Sequence, residues 1–236
     1  MNLQRLDKII ATQLNIPRSL ARKHIRWGKV SVNGKILRDP SLQISSDSEI
    51  EYKGETVVYR EHIYVVMNKP KGVLSASNDK TRKTVVDLVA EPLKRSGLAP
   101  VGRLDKDTTG LLILTDDGEF AHNVISPKKN VIKTYEVSLD GDVTEQMVSG
   151  FCEGVVLADG VKCRPAELKR IDENKAEIKI SEGKYHQIKR MFGTVGLGVN
   201  ELKRTALGGF GLPKELKEGE SRELREDEIS AIFKNC

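Results

Sequence analysis

Apolar residues in this chain run together over no more than the length of a strand. Tyr64-Val65-Val66-Met67 and Leu111-Leu112-Ile113-Leu114 are the clearest such runs. Turn formers close both: Asn68-Lys69-Pro70-Lys71-Gly72 follows the first, and Asp116-Asp117-Gly118 follows the second after Thr115. A bilayer helix needs about 20 consecutive apolar residues, so these runs read as buried strands and exclude a membrane span. The opening residues, Met1-Asn2-Leu3-Gln4-Arg5-Leu6-Asp7, lack the apolar stretch of a signal peptide. Of the 236 residues 38% are hydrophobic, enough for one large domain or two unequal ones. The three cysteines (Cys152, Cys163, Cys236) form no C-x-x-C pair, which excludes a disulfide framework or a zinc–thiolate cluster as the organising feature. The expectation is a cytoplasmic, soluble chain without a cofactor.

Charge divides the chain unevenly. Residues 1–38 carry nine basic side chains and one acid, Asp7, a net of +8, so the remainder sums to −3 against the overall +5. Such asymmetry points to a small module for a polyanion joined to a larger body. Leu6, Ile9, Ile10 and Leu14 form the apolar stripe of a first helix. Pro17 suits the first turn of a second helix that runs through Trp27 and stops at Gly28. There Arg18, Arg22 and Arg26 recur every fourth residue on one face, with Lys23 beside them and no acid expected near enough to neutralise them. Val30-Ser31-Val32-Asn33-Gly34-Lys35 alternates and then turns at Asn-Gly, a hairpin signal.

This stretch, from Arg5-Leu6-Asp7-Lys8 through Pro17-Arg18-Ser19-Leu20-Ala21-Arg22 to Val30-Ser31-Val32-Asn33-Gly34, resembles the S4-like RNA-binding module. The resemblance implies that Arg5, Lys8, Arg18, Ser19, Arg22, Lys23 and Arg26 meet RNA. Phosphate contacts of this kind position a protein and make binding salt-dependent.

The polar, turn-rich residues 45–60 are expected to form the linker, giving a domain over 1–60 and a second over 61–236. In the second, strands are expected at Ile63–Asn68, Leu111–Thr115, Lys133–Leu139 and Ala176–Ser181. Helices are expected at Thr84–Leu93, Glu119–Ile125 and near Lys184–Val195, the last burying Ile188, Met191, Phe192 and Val195. Strands and helices do not alternate regularly. The fold class is therefore α+β: a small α/β module, then a body with a mainly antiparallel central sheet flanked by helices.

For chemistry, elimination leaves carboxylates. His24, His62, His122 and His186 show no metal-ligand spacing and read as structural or contact residues, so no metal site is expected. Gly208-Gly209-Phe210-Gly211 lacks the Lys-Ser/Thr of a phosphate loop and reads as a flexible turn. Gly102-Arg103-Leu104-Asp105-Lys106-Asp107-Thr108-Thr109-Gly110 is a polar, glycine-bracketed loop before a strongly apolar strand. Arg103 and Lys106 flank Asp105, and cations favour an ionised, nucleophilic carboxylate. From spacing alone, organising a turn accounts for Asp105 or Asp107 equally well. Asp116 and Asp117 read as turn residues.

Four segments then follow in order: Asn68-Lys69-Pro70-Lys71-Gly72-Val73; Gly102-Arg103-Leu104-Asp105 with Thr108-Thr109-Gly110-Leu111-Leu112 and Thr115-Asp116-Asp117-Gly118; Lys133-Thr134-Tyr135-Glu136-Val137; and Ser181-Glu182-Gly183-Lys184-Tyr185-His186-Gln187-Ile188-Lys189-Arg190-Met191-Phe192. In order and spacing they resemble the RNA pseudouridine synthases, most of all the RsuA-type branch, which acts on ribosomal RNA and carries an S4-like module. The resemblance implies an isomerase that uses neither cofactor nor metal, whose partner is ribosomal RNA, 16S or an assembling small subunit, and which works as a monomer. It implies Asp105 as the catalytic aspartate and Tyr135 as the tyrosine packed on the target base. Lys189 matches the basic residue that pairs with the aspartate, Ile188 the apolar wall of the pocket, and Arg103 the arginine that opens the RNA and holds the flipped nucleotide. The compact length, the N-terminal module and Ser181-Glu182-Gly183-Lys184-Tyr185-His186-Gln187 look most like the small-subunit branch, and an acid-rich stretch from Glu215 to Glu228 stands where some large-subunit relatives carry a basic extension. The same reaction on 23S RNA and a non-catalytic ribosome-assembly factor are the competing readings.

Overall fold

The computed structural model describes residues 3–234; Cys236 lies outside them. The chain forms two compact units, one up to residue 63 together with 94–98, the other spanning 64–93 and 99 onward.

The first unit comprises β1 (Leu3–Arg5), α1 (Leu6–Gln13), α2 (Arg18–Arg26), β2 (Val30–Val32), β3 (Lys35–Ile36), β4 (Gln43–Ser45), β5 (Ile50–Tyr52) and β6 (Glu55–Thr56). β1 pairs with β4, and a second sheet runs β3-β2-β5-β6. The stripe Leu6, Ile9 and Ile10 packs with Ala21 and Ile25 of α2 and with Val30, Ile44 and Ile50 of the strands. Asn33 and Gly34 both take positive φ (50° and 74°), the geometry of the hairpin turn that Asn-Gly favours.

Two expectations fail here. Residues 45–56 are no linker: they supply β5 and β6, and Ile50 is buried in the core. Three-residue strands are too short to show alternation. Nor does the arginine face lack an acid. Asp7, fully buried at the start of α1, accepts hydrogen bonds from Arg5 (3.1 Å), Arg18 (2.8 Å) and Arg22 (2.8 Å). Burial alone would raise the Asp7 carboxyl, but the three guanidiniums outweigh it and hold it well below the usual carboxylate range.

The second unit is built on β7 (Tyr64–Lys69), β8 (Ala99–Pro100), β9 (Thr109–Thr115), α3 (Gly118–Ile125), β10 (Lys133–Leu139), α4 (Glu145–Glu153), β11 (Glu167–Asp172), β12 (Lys175–Ile180), α5 (Gln187–Thr194), β13 (Val199–Leu207), β14 (Phe210–Gly211), β15 (Ser221–Glu223) and α6 (Glu226–Ala231). Among the described residues these strands form a nine-stranded sheet of order β11-β12-β10-β13-β9-β7-β15, with β14 on β13 and β8 on β9. All pairings are antiparallel except β13 with β9. The α+β reading holds. The two apolar runs are β7 and β9, paired side by side and buried on both faces, which is why they do not alternate. One face packs Val66, Leu111 and Ile113 against Phe120 and Val124 of α3 and against Phe210, Leu224 and Ile232. Among the described residues no helix is long and apolar enough to cross a membrane.

Thr84–Leu93 is not a helix. Only short 3-10 turns form, at Val86–Leu88 and Glu91–Leu93. The Asp87 carboxylate accepts from the Thr84 amide and hydroxyl, β-branched Val85, Val86 and Val89 disfavour helix, and Pro92 removes a donor. The Gly208-Gly209 turn is packed, not free. A Cβ at Gly208 would fall 1.9 Å from the Ile232 carbonyl, and the Gly209 amide donates to Ala231. Asp117 behaves as a turn residue: it caps α3 and accepts the Tyr64 hydroxyl.

Asp7→Asn is expected to destabilise the first unit by about 2 kcal/mol at pH 7, because it removes hydrogen bonds to a charged acceptor. The folded-state pKa of Asp7 is depressed, so its contribution is complete above the unfolded value near pH 4 and fades as pH falls below it. Urea unfolding followed by Trp27 emission should show the gap between the two proteins at pH 7 and a narrower one at pH 3. A gap of equal size at both would show that Asp7 contributes nothing as a carboxylate.

Candidate active site

The loop 102–108 leads into β9, and its backbone is pinned at several points. Lys69, the last residue of β7, is fully buried. Its ammonium donates to the carbonyls of Pro70 (3.1 Å), Lys106 (3.3 Å) and Thr108 (2.9 Å). The Gly72 amide donates to the same Lys106 carbonyl at 2.7 Å. On the other side of the loop, the Ser75 hydroxyl donates to the Leu104 carbonyl and accepts from the Leu104 amide. At the loop's exit Gly110 takes φ +98°, and a Cβ there would lie 2.2 Å from the Arg204 carbonyl. Only glycine fits this close approach of β9 to β13, which pair in parallel here.

Burial pushes the Lys69 ammonium down to about 8, with the charges of Asp107 and Asp105 opposing the fall. The sequence places Lys69 in a Lys-Pro-Lys turn, where a solvated side chain is the ordinary outcome. Its burial follows from the strand pairing of Lys69 with Gly110, which periodicity does not reveal.

Held this way, Asp105 faces a cavity of about 80 Å³ together with Arg103, Tyr135, His186, Ile188 and Lys189. All five residues singled out from the family resemblance therefore line one space. Arg103 is exposed at its edge, while Tyr135 and Ile188 are buried walls. Tyr135 comes from β10, and Ile188 and Lys189 come from the first turn of α5. A larger groove of about 630 Å³, bordered by Lys71, Asp107, Glu136, Lys175 and Lys203, shares Leu202 with the small cavity.

The ion pairs differ from expectation. Lys189 does not pair with Asp105: its ammonium bonds the Asp107 carboxylate at 2.5 Å, and that hydrogen bond holds the Asp107 carboxyl below its usual range. The group that meets Asp105 is His186, whose Nε2 lies 3.5 Å from Oδ1. His186 sits at the N-terminal cap of α5 in the left-handed region (φ 48°), an uncommon place for a residue with a side chain. That conformation turns its ring toward Asp105 and leaves Lys189, three residues on, to reach Asp107. Arg190 points elsewhere, to Asp159, as the 100° step between successive helical residues requires. The turn before α5 is itself braced: buried Gln187 accepts from the Lys184 amide and donates to Glu182.

Sequence reasoning missed His186, Asp107 and Lys69 as members of this site. His186 was set aside for lack of metal spacing, although it stands inside the Lys-Tyr-His-Gln-Ile-Lys motif. The seven basic-module residues lie in the first unit, where Arg5, Arg18 and Arg22 share Asp7 and Lys8, Ser19, Lys23 and Arg26 are exposed. Among the described residues no group of three or more His, Cys, Asp or Glu side chains is placed to hold a metal ion, and Cys152 and Cys163 are free thiols.

Comparison with known proteins places the chain in a family. The RNA pseudouridylate synthase family matches residues 63–194, and the S4 domain matches residues 4–50. The chain is 44% identical to an RNA pseudouridine synthase of Bacillus subtilis (strain 168), covering 97% of this chain and 98% of that one. It is 38% identical to ribosomal small subunit pseudouridine synthase A of Escherichia coli (strain K12), covering 97% and 99%. The protein of the same name from Haemophilus influenzae is 40% identical over 98% and 100% of the two chains. A crystal structure of a pseudouridylate synthase superposes with a TM-score of 0.69 at 39% identity, covering 97% of this chain and 99% of that one.

The Lys69 clamp has a signed pH signature. An unfolded lysine titrates near 10.4, whereas Lys69 in the fold titrates at about 8. Between those values the unfolded chain binds more protons, so stability rises with pH. The stability of the native protein relative to Lys69→Met should therefore grow by about 1–3 kcal/mol from pH 7.5 to pH 10. Urea melts followed by circular dichroism measure it. A constant difference would mean that Lys69 keeps an ordinary lysine's titration.

Proposed function

The chain belongs to the RNA pseudouridylate synthase family, and on that premise we propose that it isomerises a uridine of small-subunit 16S ribosomal RNA, with Asp105 as the catalytic carboxylate. The observation that carries the choice of target is end-to-end kinship, S4 domain included, with relatives named for the small ribosomal subunit. A cytoplasmic monomer acting on 16S RNA or on the assembling subunit goes with that reading.

The reaction breaks the N1–C1′ bond, turns the uracil and joins C5 to C1′. The proton lost from C5 is balanced by the one gained at N1, so no oxidant, reductant or leaving group is needed. A stacked uridine cannot present its sugar to a carboxylate in a cavity, so it flips out at a cost of a few kcal/mol. Stacking on Tyr135 returns about 1–3 kcal/mol of that. Exposed Arg103, at the cavity's edge, is the residue we assign to holding the flipped nucleotide. Two routes suit Asp105: attack at C1′, as glycosidase carboxylates do, or removal of the C2′ proton to give a glycal. In both, Asp105 must be fixed in place yet free to leave its resting partner. The pinned loop supplies the first condition, and a single imidazole contact at 3.5 Å supplies the second.

Asp105→Asn is expected to abolish pseudouridine formation while RNA affinity stays within about twofold, since the backbone clamp does not use the carboxylate. Carbodiimide primer-extension mapping reads the product, and any pseudouridine made by this variant would remove Asp105 from its role. Tyr135→Phe should retain most activity, whereas Tyr135→Ala should lose about 10- to 100-fold, the equivalent of one stacked base. Equal turnover by all three would take Tyr135 out of the base site. Offered both ribosomal RNAs, the enzyme should mark one site in the 16S molecule; a mark confined to 23S RNA would overturn the target.

A further inference from the structure

Three aromatic rings lie in a row on the first unit. The Tyr52 and His24 centroids are 5.5 Å apart, and those of His24 and Trp27 are 6.0 Å apart. The Tyr52 hydroxyl is 2.9 Å from His24 Nδ1, which locks the first two rings together. Trp27 ends the row at the C-terminal cap of α2. It is 61% exposed and is the single tryptophan of the chain.

Cations surround these rings. The Lys29 ammonium lies 5.0 Å from the Trp27 ring centre, and the Lys53 ammonium lies 5.2 Å from that of Tyr52. The Arg38 guanidinium packs against Gly28, the residue after Trp27, and donates to the Arg26 carbonyl at 3.1 Å. Burial, and then the charges of Lys29 and Lys53, depress the His24 pKa, so the middle ring tends to remain a neutral support. An isolated exposed hydrophobic residue needs no explanation. An indole that is 61% exposed, with one ammonium over its ring and a second over the ring of Tyr52, in a segment of net charge +8, combines the two devices by which proteins grip single-stranded RNA: a stacking platform and neighbouring cations for phosphate.

We propose that Trp27 is a stacking seat for one unpaired nucleobase of the substrate RNA, with Lys29, Lys53 and Arg38 taking the adjoining phosphates. The seat differs in kind from the arginine face of α2, whose Arg18 and Arg22 are tied to Asp7 and can offer phosphates charge but no ring. It selects for unpaired RNA, because bases within a duplex have both faces occupied. The inference rests on the chain's acting on RNA, and it adds a contact to the proposed target reading without depending on which ribosomal RNA is modified.

Because Trp27 is the only tryptophan, its emission reports on this seat alone. The full-length protein is titrated with a 12-nucleotide single-stranded oligoribonucleotide and with a duplex of equal length. The single strand should quench Trp27 saturably, and the duplex should quench it little. By filter binding, Trp27→Phe should hold the single strand within about threefold of the native protein, whereas Trp27→Ala should weaken it about 5- to 100-fold. Trp27→Ala should leave the salt dependence unchanged, while Lys29→Ala should lower its slope by about one phosphate contact. Equal quenching by duplex, or native affinity in Trp27→Ala, would overturn the proposal. If pseudouridine still forms in ribosomal RNA while Trp27 stays silent, this seat fails and the proposed function stands. If Trp27 is quenched by single strands but no pseudouridine forms, the reverse holds.

Discussion

One buried ammonium fixes the loop that carries Asp105. Lys69 reaches the end of a strand that is buried on both faces and spends its three donors on three carbonyls, two of them in the loop that carries Asp105 and Asp107. Burying an ammonium is costly unless its hydrogen bonds are satisfied, so the interaction is stable only if the loop closes around it. The dependence runs both ways: the lysine needs the loop's carbonyls, and the loop needs the lysine to hold the Lys106 and Thr108 carbonyls together. Gly110 completes the arrangement by letting β9 pass within contact of the Arg204 backbone. Everything placed opposite Asp105, Tyr135 on β10 and the first turn of α5 included, is positioned relative to a loop with little freedom.

The first unit uses the opposite device, a buried anion that organises exposed cations. Asp7 is the only acid among the first 38 residues, and it draws Arg5, Arg18 and Arg22 into one cluster at the junction of β1, α1 and α2. The module's positive charge is therefore anchored. Guanidiniums that each spend one edge on Asp7 keep other N–H groups for phosphate, and they lose less side-chain entropy on binding than free arginines would.

How much of this the sequence discloses depends on whether a contact is local. The helical stripe of α1, the Asn-Gly hairpin, the two apolar central strands and the apolar face of α5 are all encoded at short range, and they emerged as expected, except that Val195 falls just past α5 and is half-buried. The α+β class follows from their order. Thr84–Leu93 resembles a helix because Thr84 is a good helix cap, but here Thr84 bonds the Asp87 carboxylate beside a single turn that β-branched residues and Pro92 prevent from growing. β5 and β6 were hidden because two or three residues cannot display a period. The motifs located Asp105, Tyr135, Ile188 and Lys189 in one cavity, yet motif order says nothing about which charge meets which. That depends on the left-handed turn at His186 and on a loop folded by long-range bonds.

The resulting division of partners has a chemical logic. Two carboxylates two residues apart face one helix terminus that offers an ammonium and an imidazole. The ammonium goes to Asp107, at hydrogen-bonding distance, and depresses that carboxyl. The imidazole meets Asp105 at 3.5 Å, too far for a strong bond. Had Lys189 bonded Asp105 directly, reaction at the sugar would first require breaking a charge-assisted hydrogen bond, which is about twice as strong as a neutral one. With Lys189 bound to Asp107, the ammonium's charge is matched by that carboxylate, and no hydrogen bond to Lys189 occupies the lone pairs of Asp105. On the proposal that Asp105 attacks or deprotonates the ribose, the part that falls to Asp107 is to occupy the lysine.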